Sequence, residues 1–171
     1  MLKSADTTAE TEVTAPPGAP TPSRVRSPRI VALSRTECTR LLARNHVGRL
    51  AYTFREAIDI VPIHYAYADG WIYARTSAGQ KVTKLRHNRW VAFEVDEIHA
   101  MYQWTSVVVR GGLYLLEEDS VVPDTWERAV TVLQEKFPGA FTARDPVPFR
   151  TTIFRIHVDA VSGRRATPST R

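Results

Sequence analysis

The chain switches between two hydrophobic patterns along its length. Strict alternation of apolar and polar residues favours a half-buried strand, whereas apolar residues three and four apart favour an amphipathic helix. The alternating segments predict strands at Val47–Phe54, Ile58–Ala68, Trp71–Thr76, Trp90–Asp96, Trp104–Glu117 and Thr151–Val161. The helical spacing predicts helices over residues 34–45, 78–88 and 122–137. We therefore expect a mainly β protein with short helices.

Turn and cap signals mark the ends of several of these elements. Asp69-Gly70 is a two-residue hairpin signal between the second and third strands. Ser34 and Glu37 have the spacing of a capping box, and Ser77 and Gln80 repeat it before the second helix. We therefore expect these two serines to cap the first two helices.

Two irregular strands indicate a closed barrel rather than an open sandwich. Gly111-Gly112 interrupts a strand rich in β-branched residues, where glycine usually marks a bulge or a sharp bend. Ile60, Val61, Pro62 and Ile63 are all apolar, so we expect that strand to be covered on both faces. Because proline cannot donate to a ladder, a bulge or an unpaired stretch is expected at Pro62, where free backbone groups could face a ligand.

The two ends of the chain differ from its middle in composition and charge. Residues 1–28 are rich in Thr, Ala, Pro and Ser, and residues 162–171 are polar, so we predict disordered tails around a folded domain at 29–161. The net charge is +5, but residues 1–29 and 162–171 carry +4 of it. A nucleic-acid surface needs clustered cations on ordered structure, so we expect no nucleic-acid partner.

Other features bear on compartment and metal binding. No apolar run approaches the roughly 20 residues of a membrane-spanning helix, and the first residues lack the apolar core of a secretory signal. The one cysteine, Cys38, excludes an internal disulfide and suits a reducing cytoplasm. The histidines show no ligand spacing, so we predict no metal site. These features together favour a cytoplasmic protein without a membrane partner.

The stretch around the second helix is a candidate anion site. Arg75 lies just before this helix, and the first turn of a helix offers unpaired N–H groups to an anion. Lys81 and Lys84 are three residues apart and therefore project from one side. Charge-assisted hydrogen bonds from such groups are what a phosphate dianion requires. A solvated basic helix with ordinary caps is the alternative, and the pattern alone leaves both open.

Several short motifs follow one another in a definite order over residues 34–160. They are Val61-Pro62-Ile63-His64-Tyr65, the hairpin leading into Trp71–Ser77, then Lys81, Leu85–Asn88, Val91–Asp96 and Trp104–Gly111. In order and spacing they resemble the pyridoxamine 5′-phosphate oxidase-like, FMN-binding split-barrel superfamily, and within it the nitroimidazole-resistance-protein-like branch. The resemblance implies a homodimer of split β-barrels with two FMN sites at the subunit interface.

The resemblance also assigns site residues. It implies that Val61–His64 lie along the isoalloxazine ring, that residues 75–77 with Lys81 hold the phosphate, and that 104–106 lie near the flavin, often from the partner subunit. With the helix pattern, the cofactor-binding residues are predicted as Val61, Pro62, Ile63, His64, Arg75, Thr76, Ser77, Lys81, Lys84, Trp104 and Ser106. His64 is either a donor beside the ring or a core histidine, and Trp104 is either a stacking or an interface residue.

The expected function is FMN-dependent redox chemistry on a small molecule. The cofactor itself would carry hydride or electrons, so no catalytic residue is assigned. Residues 162–171 lack the tryptophan of the substrate motif of the family's oxidases proper, which argues against pyridoxamine-phosphate oxidase activity. Two alternatives remain open: a related barrel that binds F420 or haem, and a non-catalytic dimer that only binds flavin.

Overall fold

The computed structural model describes residues 27–118 and 124–168. Its elements are β1 (Arg29–Ala32), α1 (Arg35–Arg44), β2 (Val47–Phe54), β3 (Ala57–Ala68), β4 (Trp71–Thr76), α2 (Gln80–His87), β5 (Trp90–Ala100), β6 (Gln103–Leu116), α3 (Thr125–Lys136), β7 (Thr152–His157) and β8 (Ala160–Thr167). All strand pairs are antiparallel. The mainly β fold with short helices is confirmed.

Six strands close into a barrel. They follow the order β6-β5-β2-β3-β4-β7, and β7 pairs back with β6. Strand β6 pairs with β8 up to Arg110 and with β7 from Leu113 onward, so it changes partner at Gly111–Gly112. A Cβ at Gly111 would lie 1.8 Å from the carbonyl oxygen of His157, so only glycine fits at this bend. The predicted bend and the closed barrel are confirmed.

Helix α1 packs on β3, β6 and β8. Its cap is the predicted capping box: the Glu37 N–H donates to Ser34 Oγ (3.3 Å), and the Ser34 N–H donates to Glu37 Oε2 (2.9 Å). Cys38, Leu41 and Leu42 are buried on its inner face. The hydroxyl of buried Tyr65 donates to the Leu42 carbonyl oxygen (2.7 Å), which ties the helix to β3.

The outer face of the sheet is covered over only part of its extent. Helix α3 packs on β3, β4 and β7, where Ala66, Tyr73 and Ile153 form a buried cluster with its own apolar residues. We call this part the covered half. On the other side of His64, Ile58 and Ile60 point outward from the same strand and are exposed. The expectation that this strand is covered on both faces is therefore wrong for a single chain, because α3 ends its contact before these residues.

The strand and tail predicted for the C-terminal segment are wrong in part. The single strand expected at Thr151–Val161 is two strands, β7 and β8, and β8 runs to Thr167, so a disordered tail is wrong for residues 162–167. The segment looks polar because an inward position is glycine: a Cβ at Gly163 would lie 2.8 Å from Cys38 Sγ. Strand β1, which the pattern did not predict, pairs with β8. Residues 1–26 and 169–171 of the predicted tails lie outside the described residues.

The second helix begins later than the sequence pattern predicts. Helix α2 starts at Gln80 with Gly79 as its N-cap, and no side chain caps it, so the expected cap by Ser77 is wrong. Gly79 has a φ of 146°, a conformation that side-chain-bearing residues rarely adopt, and this glycine therefore takes the cap position. The first residues expected in the third helix, 122–123, lie outside the described residues. Among the helices of the described ranges, none has the length and apolarity needed to cross a membrane.

Candidate functional site

Strand β3 has an open backbone edge next to the covered half. Residues 57–64 pair with β2, but β4 pairs only with residues 65–68, so within the described ranges no strand pairs with the other edge of 57–64. The Tyr65 N–H donates to the His46 carbonyl oxygen on the β2 side (2.9 Å). Because alternate residues present their backbone groups to opposite edges, Ile60 and Pro62 face the open edge. This edge is the unpaired stretch expected at Pro62, and no bulge interrupts the β2–β3 register.

A second feature is a cationic corner at the start of α2. Lys81 Nζ donates to the hydroxyl of buried Thr76 at the end of β4 (3.1 Å). Among the residues described, no carboxylate oxygen lies within 4.0 Å of this amine. Burial lowers the pKa of Lys81, and the positive charge of Arg150 lowers it further. Lys81 is thus a half-buried cation that no carboxylate of the described chain pairs with.

Arg75, the next predicted phosphate ligand, has an internal partner. Its guanidinium makes two hydrogen bonds to the carboxylate of Asp145, with Nη2 to Oδ1 at 2.7 Å. The two side chains are only 11% and 3% exposed. Asp145 also accepts the N–H groups of Phe141 and Val147 (2.8 and 2.9 Å). The bond from Arg75 and then these two N–H groups hold the pKa of Asp145 well below its usual range.

Lys84 is likewise paired. Its amine donates to Asp59 on β3 at 2.6 Å, and this bond raises the pKa of Lys84. Ser77 is exposed in the turn between β4 and α2. Of the predicted phosphate set, the structure brings Thr76 and Lys81 together directly, while Arg75 and Lys84 are each bonded to an aspartate.

A cavity of about 410 Å³ lies beside this corner. It is enclosed by the end of α3, by His64 and Arg75 on the sheet, and by residues 137–151, which we call the α3–β7 loop. Phe137 and Val147 form part of its apolar wall, and Arg150 also lines it. We refer to it as the loop cavity.

His64 links the open edge of β3 to the loop cavity. Its ring lies edge-on to Phe137, with centroids 5.9 Å apart, and parallel to His46, with centroids 6.2 Å apart. Partial burial lowers the pKa of His64, and the charges of Arg150 and His46 act in the same direction. The lowered pKa favours the neutral imidazole, which can both donate and accept a hydrogen bond.

Trp104 and Ser106 lie elsewhere in the same chain. They are on β6, which two strands, β5 and β2, separate from β3. Ser106 Oγ donates to Glu94 Oε1 (3.1 Å), and Glu94 also pairs with Arg49 (2.9 Å). Within one chain these two predicted residues therefore do not meet Val61–His64 or the cationic corner.

The sequence analysis missed the residues of the α3–β7 loop. Asp145 and Arg150 lie in a stretch of fifteen residues between α3 and β7 that holds no helix or strand. Loops of about this length without secondary structure are usually functional, and that length was the signal available in the sequence. His64 lies on the open edge and lines the loop cavity, and Thr76 of the cationic corner follows Arg75 of the cavity wall, so the three features form one candidate site.

Comparison with known proteins identifies the family of this chain. Residues 34–165 match the family model described as pyridoxamine 5′-phosphate oxidase. An uncharacterised protein of Rhizobium meliloti (strain 1021) is 30% identical over 144 residues, covering 78% of this chain and 93% of the relative. The crystal structure of an FAD-binding protein from Mesorhizobium loti is 32% identical, covers 82% of this chain and 99% of its own, and superposes with a TM-score of 0.66. The FAD-binding protein of Mycobacterium smegmatis is 25% identical over 80% of this chain and 98% of its own, with a TM-score of 0.56.

More distant structures share the fold alone. A nitroimidazole-resistance-like protein of Bacteroides thetaiotaomicron is 17% identical, covers 83% of this chain and 93% of its own, and has a TM-score of 0.65. The haem storage protein of Vibrio cholerae is 12% identical, covers 74% and 89%, and has a TM-score of 0.58. The split-barrel expectation is confirmed. Since one family model spans α1 to β8, the chain belongs to the pyridoxamine 5′-phosphate oxidase family.

Proposed function

We propose that this protein binds a flavin nucleotide, FMN or FAD, and supports oxidation or reduction of a small molecule. The observation that carries the proposal is the cationic corner, where Lys81 donates to the hydroxyl of Thr76 at the end of β4 and no carboxylate oxygen of the described chain lies within 4.0 Å of its amine. A phosphate placed there would accept charge-assisted hydrogen bonds from the Lys81 amine and supply the counter-charge that this amine lacks. The FAD-binding relatives support the same ligand class.

The open edge of β3 supports the placement of the flavin ring. Ile60 and Pro62 face this edge with their backbone groups, and Pro62 has no N–H, so one potential donor is absent there. A planar heterocycle with edge acceptors and donors can bond to the remaining backbone groups as a strand would. His64, neutral and at the end of the open edge, is placed to hydrogen-bond the same ring.

When bound, a flavin supplies the hydride or electron transfer itself. The residues of this chain would bind and orient it: Lys81 and Thr76 at the phosphate, and β3 along the ring. Arg75 contributes through Asp145, because this pair fixes the wall of the loop cavity rather than the ligand directly. No residue of the site is assigned a proton-transfer role. We also propose a cytoplasmic location, because a chain with one cysteine forms no internal disulfide and suits a reducing compartment.

We also propose that the active form is a homodimer. Four large apolar side chains of β3 and β5 are exposed in a single chain: Ile58 (71%), Ile60 (65%), Trp90 (59%) and Ile98 (69%). Large apolar side chains exposed on neighbouring strands of a sheet mark a candidate interaction surface. A second copy on this surface would cover them and could bring Trp104 of the partner subunit near the flavin. Light scattering of the wild type should give the mass of a dimer. Ile60→Asp should be monomeric. Phe149→Asp, the control, changes an exposed ring on the α3–β7 loop and should remain dimeric.

The test of flavin binding is an absorbance spectrum of the purified protein before and after addition of FMN or FAD and desalting. A retained flavin band is expected in the wild type and in Lys84→Ala, and its loss is expected in Lys81→Ala. Lys84 is the matched control because it lies on the same helix but is bonded to Asp59. A protein that retains neither flavin contradicts the proposal. A deazaflavin band with F420, or a Soret band with haem, would then identify the alternative cofactor.

A further inference from the structure

The loop cavity has the size and the lining of a small-molecule site. Its volume of about 410 Å³ falls within the range of about 300–1,000 Å³ that is usual for such sites. Most of its wall is apolar and comes from α3 and the α3–β7 loop, namely Leu133, Phe137, Pro138, Ala140, Pro146 and Val147. A ligand that fills this cavity therefore places most of its surface against apolar groups.

Two aromatic rings meet in this wall. The imidazole of His64 lies edge-on to the ring of Phe137, with centroids 5.9 Å apart and planes 87° apart, and both residues line the cavity. Aromatic rings pack favourably against one another in edge-to-face or offset contact. A rigid ring also loses less conformational entropy on binding than a flexible chain does. The cavity therefore favours a flat aromatic ligand.

The formally charged side chains of the wall are all basic. They are Arg75, Lys136 and Arg150, and none of the described residues that line the cavity is an aspartate or a glutamate. Arg75 already has the carboxylate of Asp145 as its counter-charge. The Lys136 amine donates to two carbonyl oxygens at the end of α1 (3.0 and 3.4 Å) and is therefore engaged there.

Arg150 is the lining cation for which the structure shows no counter-charge or acceptor. In the described ranges, no carboxylate oxygen lies within 4.0 Å of its guanidinium. Its backbone N–H donates to the Val147 carbonyl oxygen (3.0 Å) and closes a turn, which fixes where the side chain starts. A guanidinium offers two parallel N–H donors that match the two oxygens of a carboxylate. A ligand with one carboxylate would thus supply the missing counter-charge.

The wall is ordered before any ligand enters. The nearly buried pair Arg75–Asp145 joins β4 to the α3–β7 loop. The Asp145 carboxylate also accepts the backbone N–H groups of Phe141 and Val147 (2.8 and 2.9 Å). The Arg75 guanidinium lies 4.8 Å from the centroid of the Phe141 ring, a cation–π contact with the same loop. Because the loop is already fixed, a ligand that enters has less conformational entropy to offset.

We propose that the loop cavity binds a small aromatic carboxylate, with its carboxylate on the Arg150 guanidinium and its ring against Phe137 and Val147. His64 belongs both to this wall and to the open edge of β3, so a ligand in the cavity lies beside the position proposed for the flavin ring. Such a molecule is the class of substrate that we assign to the protein. The substrate role rests on the proposed function, whereas the binding site itself does not.

The experiment titrates the purified full chain with 2-naphthoate by isothermal calorimetry. Two further probes are 2-naphthamide, which has the ring without the charge, and acetate, which has the charge without the ring. The affinity for 2-naphthoate should be at least about tenfold higher than for either, because it alone uses both Arg150 and the apolar wall. Equal affinities for the three probes, or no binding of 2-naphthoate, overturn the proposal.

Two variants with matched controls test whether the ligand lies in the cavity. Arg150→Gln should lower the affinity for 2-naphthoate about tenfold and leave that for 2-naphthamide unchanged, whereas Arg144→Gln, at an exposed cation of the same loop, should change neither. Val147→Trp fills the cavity and should abolish binding of both ring compounds. Ala143→Trp, at an exposed position outside the cavity, should bind them as the wild type does.

Unchanged 2-naphthoate affinity in Arg150→Gln would mean that the ligand lies elsewhere, and it would overturn the proposal. The comparison of the three probes on the wild type needs no variant. A misfolded Val147→Trp therefore does not remove the test.

The same titration on the flavin-loaded protein separates this proposal from the proposed function. With FMN or FAD bound, 2-naphthoate should still bind, and it should shift the flavin absorbance band without releasing the flavin. Release of flavin as 2-naphthoate binds would mean that the cavity belongs to the flavin, which overturns the proposal while flavin binding stands. If the chain retains no flavin, the proposed function and the substrate role fail, and the wild-type affinities for the three probes alone decide the binding site.

Discussion

The two halves of strand β3 face the same side of the sheet but have different surroundings. Beyond His64, Ala66 is 2% exposed beneath α3, together with Tyr73 of β4 and Ile153 of β7. Before His64, Ile58 and Ile60 are 71% and 65% exposed. Apolar residues therefore lie on this face in both halves of the strand, but α3 covers them in only one half. The candidate site lies at the boundary, where α3 ends and β3 loses its β4 partner.

This contrast distinguishes stability from function along one strand. The covered half contributes to the core of each chain, because its apolar side chains are removed from water on folding. The open half, residues 57–64, leaves Ile58 and Ile60 largely in water on this face of a single chain, so these two side chains contribute little to folding and fit a partner or a planar ligand. The predictions below test this division, first through the core and then through the ion pairs on each side.

The largest expected effect is on the core of the covered half. Ile153→Ala deletes a fully buried side chain, and we expect it to lower the free energy of unfolding by about 2–5 kcal/mol. Ile60→Ala is the matched substitution on the open half, and in a chain kept monomeric it should change that free energy by no more than about 0.5 kcal/mol. Denaturant titrations of both variants measure the difference. Equal losses would show that the open half is part of the folded core.

The same boundary explains how far the sequence could predict the fold. The alternation of apolar and polar residues predicts β2 and β4 with their observed bounds, and it predicts β3 to within one residue. It does so because local apolar periodicity reflects which face of a strand turns inward. It missed β1 and most of β8, where Gly163 leaves no apolar side chain to read. It also expected β3 to be covered on both faces, since periodicity reports an apolar face but not the element that covers it.

The candidate site was predictable in part for a related reason. Motif order placed Thr76 and Lys81 at one corner, because neighbouring residues at a strand end and in the following helix lie close together in any fold of this type. Asp145 and Arg150 could not be placed, since they reach the candidate site from about 70 positions further along the chain and no local pattern specifies that contact. The ion pairs of Arg75 and Lys84 depend on the same long-range placement.

An intermediate effect on stability is expected when the Arg75–Asp145 ion pair at the site is broken. Asp145→Asn leaves the Arg75 guanidinium, which is 11% exposed, without its counter-charge, and should lower the thermal midpoint by less than Ile153→Ala does. Asp59→Asn removes the partner of Lys84 on the open half, where the two side chains are 26% and 38% exposed, and should change the midpoint little. Thermal unfolding followed by circular dichroism compares the two. A larger effect for Asp59→Asn would contradict the division between the halves.

The smallest expected effect is the pH dependence of the stability difference between the wild type and Asp145→Asn. The bond from Arg75, and then the N–H groups of Val147 and Phe141, lower the pKa of Asp145 in the folded chain below its value of about 3.9 in an unfolded one. A carboxyl with a lowered folded pKa stabilises the fold fully above its unfolded pKa and loses that contribution as the pH falls toward the folded value. The gap in stability between the wild type and Asp145→Asn should therefore be constant above about pH 5 and narrow steadily from there to about pH 2. A gap that stays constant down to the lowest pH would mean that the Asp145 charge does not hold the loop, and the wall of the cavity would then depend on apolar packing alone.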